Sequence, residues 1–257
     1  MDVSTEIMST EIPRIIHQIW YQGETQLPDK YRHFRDTWKA NHPEWQFILW
    51  DEMSMRDFIA SDYEFFKKYF DEYPLNIQRM DSARYFILNT FGGFYIDTDV
   101  ENLKPIDELL ADHQLIVSET IGYNNAIIGS VPNHPIWQDI FAKLISCHER
   151  PHSRWFEFHK RSEAYYEAVS TGPMFFSRAV AEGAFDKLPK TLVCPGSFFE
   201  PDFPRKTDRG IVRSNDHSES YALHFGDLKW LSPTHRYMSA ISGWVFKIYW
   251  KLVSKKS

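Results

Sequence analysis

Two aspartates one residue apart, Asp97 and Asp99 in FGGFYIDTDVENL, are the side chains of this chain best spaced to do chemistry. They follow Phe94, Tyr95 and Ile96, an apolar run that reads as a buried strand, and side chains alternate along a strand. Asp97 and Asp99 are therefore expected on one side and Thr98 on the other. Carboxylates that close repel each other unless a proton or a cation sits between them. At the C-terminal end of a strand the natural occupant is Mg2+ or Mn2+ bridging phosphate oxygens. A second pair, Asp81 and Arg84 in RMDSARYF, is spaced to share one helix face. An arginine there can clamp a phosphate or a sugar hydroxyl, although a plain intrahelical ion pair has the same spacing.

The elements that must position these groups alternate in type. In RIIHQIWYQG, Ile15, Ile16, Ile19 and Trp20 form a short apolar run closed by Gly23, a buried first strand. Tyr31, Phe34 and Trp38 then recur at helical spacing up to Pro43, WQFILWDE reads as a second strand, and MRDFIASDYEFFKKYF as a second helix. A third helix is predicted from about Leu75 to Thr90, stopped by Gly92 and Gly93, with FYIDTDV as the next strand. LIVSE and NNAIIGS continue as strands and PIWQDIFAKLI as a helix, after which little pattern is legible until YALHFGDLKW. Strand and helix in alternation predict an α/β domain with a Rossmann-like, mostly parallel sheet flanked by helices, its ligand at the C-terminal strand ends. The expected organisation is a disordered lead over residues 1–11, one domain over 12–235 and an amphipathic C-terminal helix over 236–257.

Composition narrows the partners. A net charge of -6 over 257 residues argues against nucleic acid, whose binding needs a basic surface to displace counterions. Cys147 and Cys194 are the two cysteines and show no metal-ligand spacing, which fits packing residues in a reduced compartment. The N-terminal MDVSTEIMSTEIPR has acidic residues and no apolar core, and no run reaches the length of a membrane span, so a cytoplasmic protein is expected. Aromatic residues make up 16% of the chain, with nine Trp, enough to furnish ring platforms as well as a core.

IPRIIHQIW, then RMDSARYFILNTFGGFYIDTDV, then HFGDLKW resemble, in order and spacing, the DxD sugar-transferases of glycosyltransferase family 32, with their fungal mannosyltransferases and bacterial polysaccharide enzymes. More distantly, the chain is similar to the clostridial glucosylating toxins. The resemblance implies a GT-A type single domain and a retaining transferase that moves a hexose from a UDP- or GDP-sugar to a glycan or lipid-linked acceptor. It implies that Asp97 contacts the donor's ribose or sugar and Asp99 the metal, while Asp81 and Arg84, beside Tyr95, hold the transferred sugar. His224 would be the last metal ligand and Trp230 would reach a phosphate through its indole N–H. An imidazole in the set tilts the cation toward Mn2+. Trp20 resembles the ring that stacks on the base, and reads equally as core. ETIGYNNAIIGS and STGP fall where such enzymes contact sugar and acceptor. Asn125 is selected there for its amide and Gly172 for close backbone approach, with turn chemistry the commoner use of both.

Two other functions fit parts of the pattern. IDTDV also fits a haloacid-dehalogenase-type phosphatase with Asp97 as nucleophile, but that strand would open the fold, and no later G-D-x-x-x-D segment occurs. A catalytically inactive sugar-binding domain is the other, and the intact Asp81, Arg84, Asp97 and Asp99 speak against it. In the tail, Met238, Ile241, Val245, Ile248 and Leu252 share one side and Lys247, Lys251, Lys255 and Lys256 lie near the end. Such a helix packs on its own domain or lies peripherally on the inner face of an anionic membrane.

Overall fold

The computed structural model describes residues 11–149, 163–202, 205–207, 210–212 and 217–227. The lead over residues 1–10, Trp230 and the tail helix over 236–257 lie outside the described residues. The first half alternates as its apolar runs require: β1 (Ile15–Ile19), α1 (Asp29–Asn41), β2 (Gln46–Trp50), α2 (Glu52–Asp62), α3 (Glu64–Glu72), α4 (Asn76–Phe91) and β3 (Gly93–Ile96). Then come β4 (Val100–Asn102), β5 (Leu115–Glu119), β6 (Tyr123–Ser130), α5 (Pro135–Glu149), α6 (Glu163–Ser170) and α7 (Pro173–Glu182). β7 (Thr191–Pro195), β8 (Arg205–Thr207), β9 (Gly210–Val212) and β10 (Ala222–His224) complete the described elements.

The main sheet runs β2-β1-β3-β6-β5-β7. β1 pairs parallel with β2 and β3, and β5 with β7, while β6 runs antiparallel to both its neighbours. This is the α/β, mostly parallel architecture expected, with one reversed strand that periodicity does not reveal. Alternation sorts the strand residues into two cores. Tyr95, Leu115, Val117 and Ile128 pack beneath α2 to α5, and Phe94, Ile96, Ile116 and Ile127 pack on the other face with Trp38 and Trp45. From β1 the chain steps to β2 on one side, then crosses to β3 on the other, so the sheet's switch point opens between the C-terminal ends of β1 and β3.

Two local features hold those ends in place. α4 ends at Gly92 (φ 62), and Gly93 (φ 83) lets β3 run so close to β1 that a Cβ there would lie 2.5 Å from the Ile15 carbonyl oxygen. The segment read as one second helix is two, broken at Tyr63 (φ -138, ψ 49). Tyr63 turns inward, its hydroxyl 2.6 Å from Thr90 Oγ1 and accepting from Asn89 Nδ2 at 2.8 Å, so a contact with α4 overrides helical propensity.

β1 also buries a titratable group. The imidazole of His17 donates from Nε2 to the Gly92 carbonyl (3.2 Å) and accepts at Nδ1 from Trp50 Nε1 (3.2 Å), a set that only the neutral ring satisfies. Burial lowers its pKa to about 4, against a partial rise from the Gly92 bond. A histidine depressed in the native state is protonated first in the unfolded chain. Its contribution to stability is therefore complete above about pH 6.5 and is lost as pH falls toward 4, by about 2 kcal/mol at pH 5. The His17 ring protons should titrate near pH 4 by NMR; a midpoint near 6.5 would contradict this.

Candidate active site

A cavity of about 1010 Å³ opens at the switch point. Its walls include Trp20, Tyr21 and Gln22 after β1, Asp97, Thr98 and Asp99 after β3, Asp81 and Arg84 of α4, Asn124 and Asn125 of β6, Glu167 of α6, and His224. The two aspartates face it for a reason other than strand alternation. β3 ends at Ile96, and residues 97–99 form a turn closed by Val100 N–H on the Asp97 carbonyl (3.3 Å). Asp97 N–H donates to the Ala126 carbonyl of β6 (2.8 Å), and Thr98, expected on the opposite side, lines the cavity as well.

Arg84 is the hub of one wall. It is 2% exposed, with Nη2 donating to Asp81 Oδ1 (2.5 Å), Nη1 donating to the Asn125 carbonyl (2.8 Å) and lying 3.4 Å from Asp97 Oδ1, and its guanidinium 4.4 Å from the Tyr95 ring centroid. Burial works against its charge, yet the surrounding anions hold its pKa above the ordinary value. The Asp81–Arg84 pair is thus no exposed intrahelical ion pair. Tyr95 hydroxyl donates to Asp97 Oδ1 (2.7 Å). Tyr95 and Arg84 thus both meet that oxygen and fix the orientation of the Asp97 carboxyl.

The other wall is brought in by β10, which pairs antiparallel with β4 and sets His224 opposite Val100. His224 Nε2 lies 3.5 Å from Asp99 Oδ1, and Asp227 N–H donates to Asp99 Oδ2 (2.6 Å). The segment is anchored on α1, where Phe225 stacks on Phe34 (4.8 Å between centroids) and Asp227 Oδ2 accepts from Lys30 Nζ (2.7 Å) and Tyr31 hydroxyl (2.9 Å).

Asp97, Asp99 and His224 each offer a ligand atom within 4.8 Å of the others. Two carboxylates and an imidazole suit a divalent cation. The charges agree. Burial raises the Asp97 pKa, while for Asp99 burial is outweighed by His224 and the Asp227 N–H, which lower it. For His224, burial is outweighed by its bonds to Asp99 and Glu200, which raise its pKa to about 10, so a cation would take the place of the Nε2 proton, which must leave before the imidazole can ligate.

Glu200 is the residue that sequence reasoning missed here. It is 2% exposed, and its Oε1 accepts from His224 Nδ1 at 2.8 Å, which turns Nε2 toward Asp99. A carboxylate behind a ligating imidazole fixes its tautomer and orientation. Glu200→Gln is expected to weaken Mn2+ binding by about 10–100-fold. Calorimetry on the nucleotide-free protein checks this, and an unchanged affinity would remove the role.

The remaining expected residues divide. Trp20, half-buried, lines the cavity with Nε1 on the Gln26 carbonyl (3.1 Å) and its ring 5.3 Å from that of Tyr31. Asn125 lines it too, but its amide bonds Tyr85 hydroxyl (3.2 Å) and Asp81 Oδ1 (3.5 Å). Tyr95 and Gly172 are not in the lining: Tyr95 stands behind Asp97, and Gly172 caps α7 beside Glu167.

The switch point of this α/β sheet thus brings together three side chains able to hold a cation and a buried Asp–Arg pair. Residues 28–116 match the family model for the glycosyltransferase sugar-binding region containing the DXD motif. It is similar to inositol phosphoceramide mannosyltransferase 1 of Schizosaccharomyces pombe, with 34% identity over 68% of this chain and 53% of that protein. It is also similar to mannosyl phosphorylinositol ceramide synthase SUR1 of Saccharomyces cerevisiae, with 34% identity over 65% of this chain and 41% of that protein. The chain thus spans about half the length of the curated relatives it matches. Among solved structures it is similar to the PaToxG glycosyltransferase, with 17% identity, a TM-score of 0.49 and coverage of 68% of this chain and 70% of that one, a likeness too distant to carry an argument. No helix among the described residues is long and apolar enough to cross a membrane.

Proposed function

We propose that this chain is a metal-dependent, retaining hexosyltransferase that moves mannose, or a closely related hexose, from a nucleotide-diphosphate sugar to a hydroxyl of a lipid-linked acceptor. The observation that carries this reading is the single cavity that joins Asp97, Asp99 and His224 to the buried Asp81–Arg84 pair. The names of the relatives favour mannose as the sugar and an inositol-bearing phosphosphingolipid as the acceptor. Asp97, Asp99 and His224 would hold a divalent cation, which would supply neutralisation of the donor's diphosphate as it departs. Arg84 adds a fixed positive field beside it, aimed by Asp81 and the Asn125 carbonyl. Trp20 and Tyr21 supply aromatic surface at the mouth of β1 for the base.

The acceptor hydroxyl forms the new bond to the anomeric carbon on the face from which the diphosphate leaves, and its proton passes to a donor phosphate oxygen. No side chain is required as nucleophile or base. A lipid acceptor places the reaction at a membrane surface, with the tail over residues 237–257 as the peripheral contact. The test is release of nucleoside diphosphate from GDP-mannose, UDP-glucose and UDP-galactose, with and without Mn2+. Metal-dependent turnover of one donor supports the reading, and absence of binding or turnover with all of them refutes it.

A further inference from the structure

Glu167 lies in α6, within a stretch whose sequence shows no motif, yet its carboxyl reaches the cavity wall. The residue is 7% exposed. The chain after it is shaped around that carboxyl, for a Cβ on Gly172 would fall 1.9 Å from Glu167 Oε1, closer than any atom can approach. The same Cβ would also meet Ala168 Cα at 3.0 Å, while the φ of -86 at Gly172 makes no demand of its own. The carboxyl stands within hydrogen-bonding reach of Asp81, whose Oδ2 also accepts from Thr171 Oγ1 at 3.1 Å.

Two buried carboxyls therefore meet beside one guanidinium, and Arg84 already spends its charge on Asp81 and Asp97. Burial pushes the Glu167 pKa well up, and the negative charge of Asp81 pushes it further. A neutral Glu167 offers an O–H donor and a carbonyl acceptor, and the Asp81 carboxylate offers acceptors only. That combination repels phosphate. It suits a neutral ligand with neighbouring hydroxyls, each able to give and take a hydrogen bond.

Along this wall the order is Glu167, Asp81, Arg84, Asp97, so the carboxyl pair stands two side chains from the cation ligands. We infer that Glu167 and Asp81 together hold hydroxyls of the transferred hexose, so that Glu167 is a donor-sugar contact and a determinant of which hexose is taken. The inference deepens the proposed transferase reading and rests on it.

The experiment compares, by calorimetry with Mn2+ present, binding of the preferred nucleotide sugar and of its bare nucleoside diphosphate to wild type, Glu167→Ala and Glu167→Gln. Glu167→Ala is expected to weaken nucleotide-sugar binding by about 10–100-fold while leaving the nucleoside diphosphate within about twofold, since only the sugar's hydrogen bonds are lost. Glu167→Gln, neutral and of the same shape, should restore most of the loss. Equal weakening of both ligands in Glu167→Ala would mark a residue that merely supports the wall, and an unchanged sugar affinity would show no contact at all; either overturns the inference alone. Wild type that binds no nucleotide sugar overturns the transferase reading and the inference with it.

Discussion

Replacing Asp99 with alanine is expected to lower metal-dependent turnover of the donor by about a thousandfold, beyond the roughly 10–100-fold typical of partners one shell out from a metal. Asp99 does three things at once. Its Oδ1 faces His224 Nε2, its Oδ2 accepts the Asp227 N–H at 2.6 Å, and it shares the cation site with Asp97. The substitution therefore removes a ligand and also loosens the β10 segment that carries another. Asp99→Asn separates these effects, because its amide oxygen still accepts from Asp227 while the charge is gone. Both variants should remain folded, since residues 97–99 form a turn past the C-terminal end of β3 and the two cores lie elsewhere. Turnover against Mn2+ concentration is the measurement. Wild-type activity in Asp99→Asn that survives chelation would end the metal-dependent reading.

The second large effect is on stability as well as on activity. Arg84→Met leaves Asp81 and Asp97 without the guanidinium that lies between them, and the Asn125 carbonyl without its donor. Breaking a buried ion pair from one side costs about 3–5 kcal/mol, because the partner charge stays behind. Arg84→Lys recovers little. One ammonium on a flexible stem cannot span the Asp81 carboxylate, the Asn125 carbonyl and Asp97 as the guanidinium fork does. Adding Asp81→Asn to Arg84→Met removes one of the stranded charges and should return part of the stability without returning turnover. Thermal unfolding and donor turnover of the three variants decide the point. If Arg84→Met unfolds with wild type, Arg84 is not the hub that its contacts describe.

Much of the first half of the fold is legible in the chain. β1, α1, β2, α4, β3, β5, β6 and α5 fall close to where apolar periodicity and the glycine pair at 92–93 put them, because those signals act over one or two turns of chain. Asp81, Arg84, Asp97 and Asp99 stand out less by spacing, which fits an ordinary ion pair and an acidic turn as well, than by the resemblance of their combined segments to the DxD sugar-transferases. The reading failed where a distant partner outvoted local preference. Tyr63 breaks a helix to meet α4, β6 reverses direction to close the sheet beside β3, and Asp97 to Asp99 turn instead of alternating, closed by the Val100 N–H on the Asp97 carbonyl.

By itself, then, the sequence determined the α/β alternation and the two carboxylate-bearing segments on either side of Gly92 and Gly93, since each is encoded within a single helix or strand end. Tertiary structure alone decided the site. His224 reaches Asp99 through the pairing of β10 with β4, the Asp227 N–H that completes that carboxylate lies 128 positions away in the chain, and Glu200 and Glu167 come from segments with no recognisable motif. The physical reason is that a buried charge must be compensated by whatever the fold brings beside it, and such partners are set by sheet order and helix packing rather than by spacing along the chain.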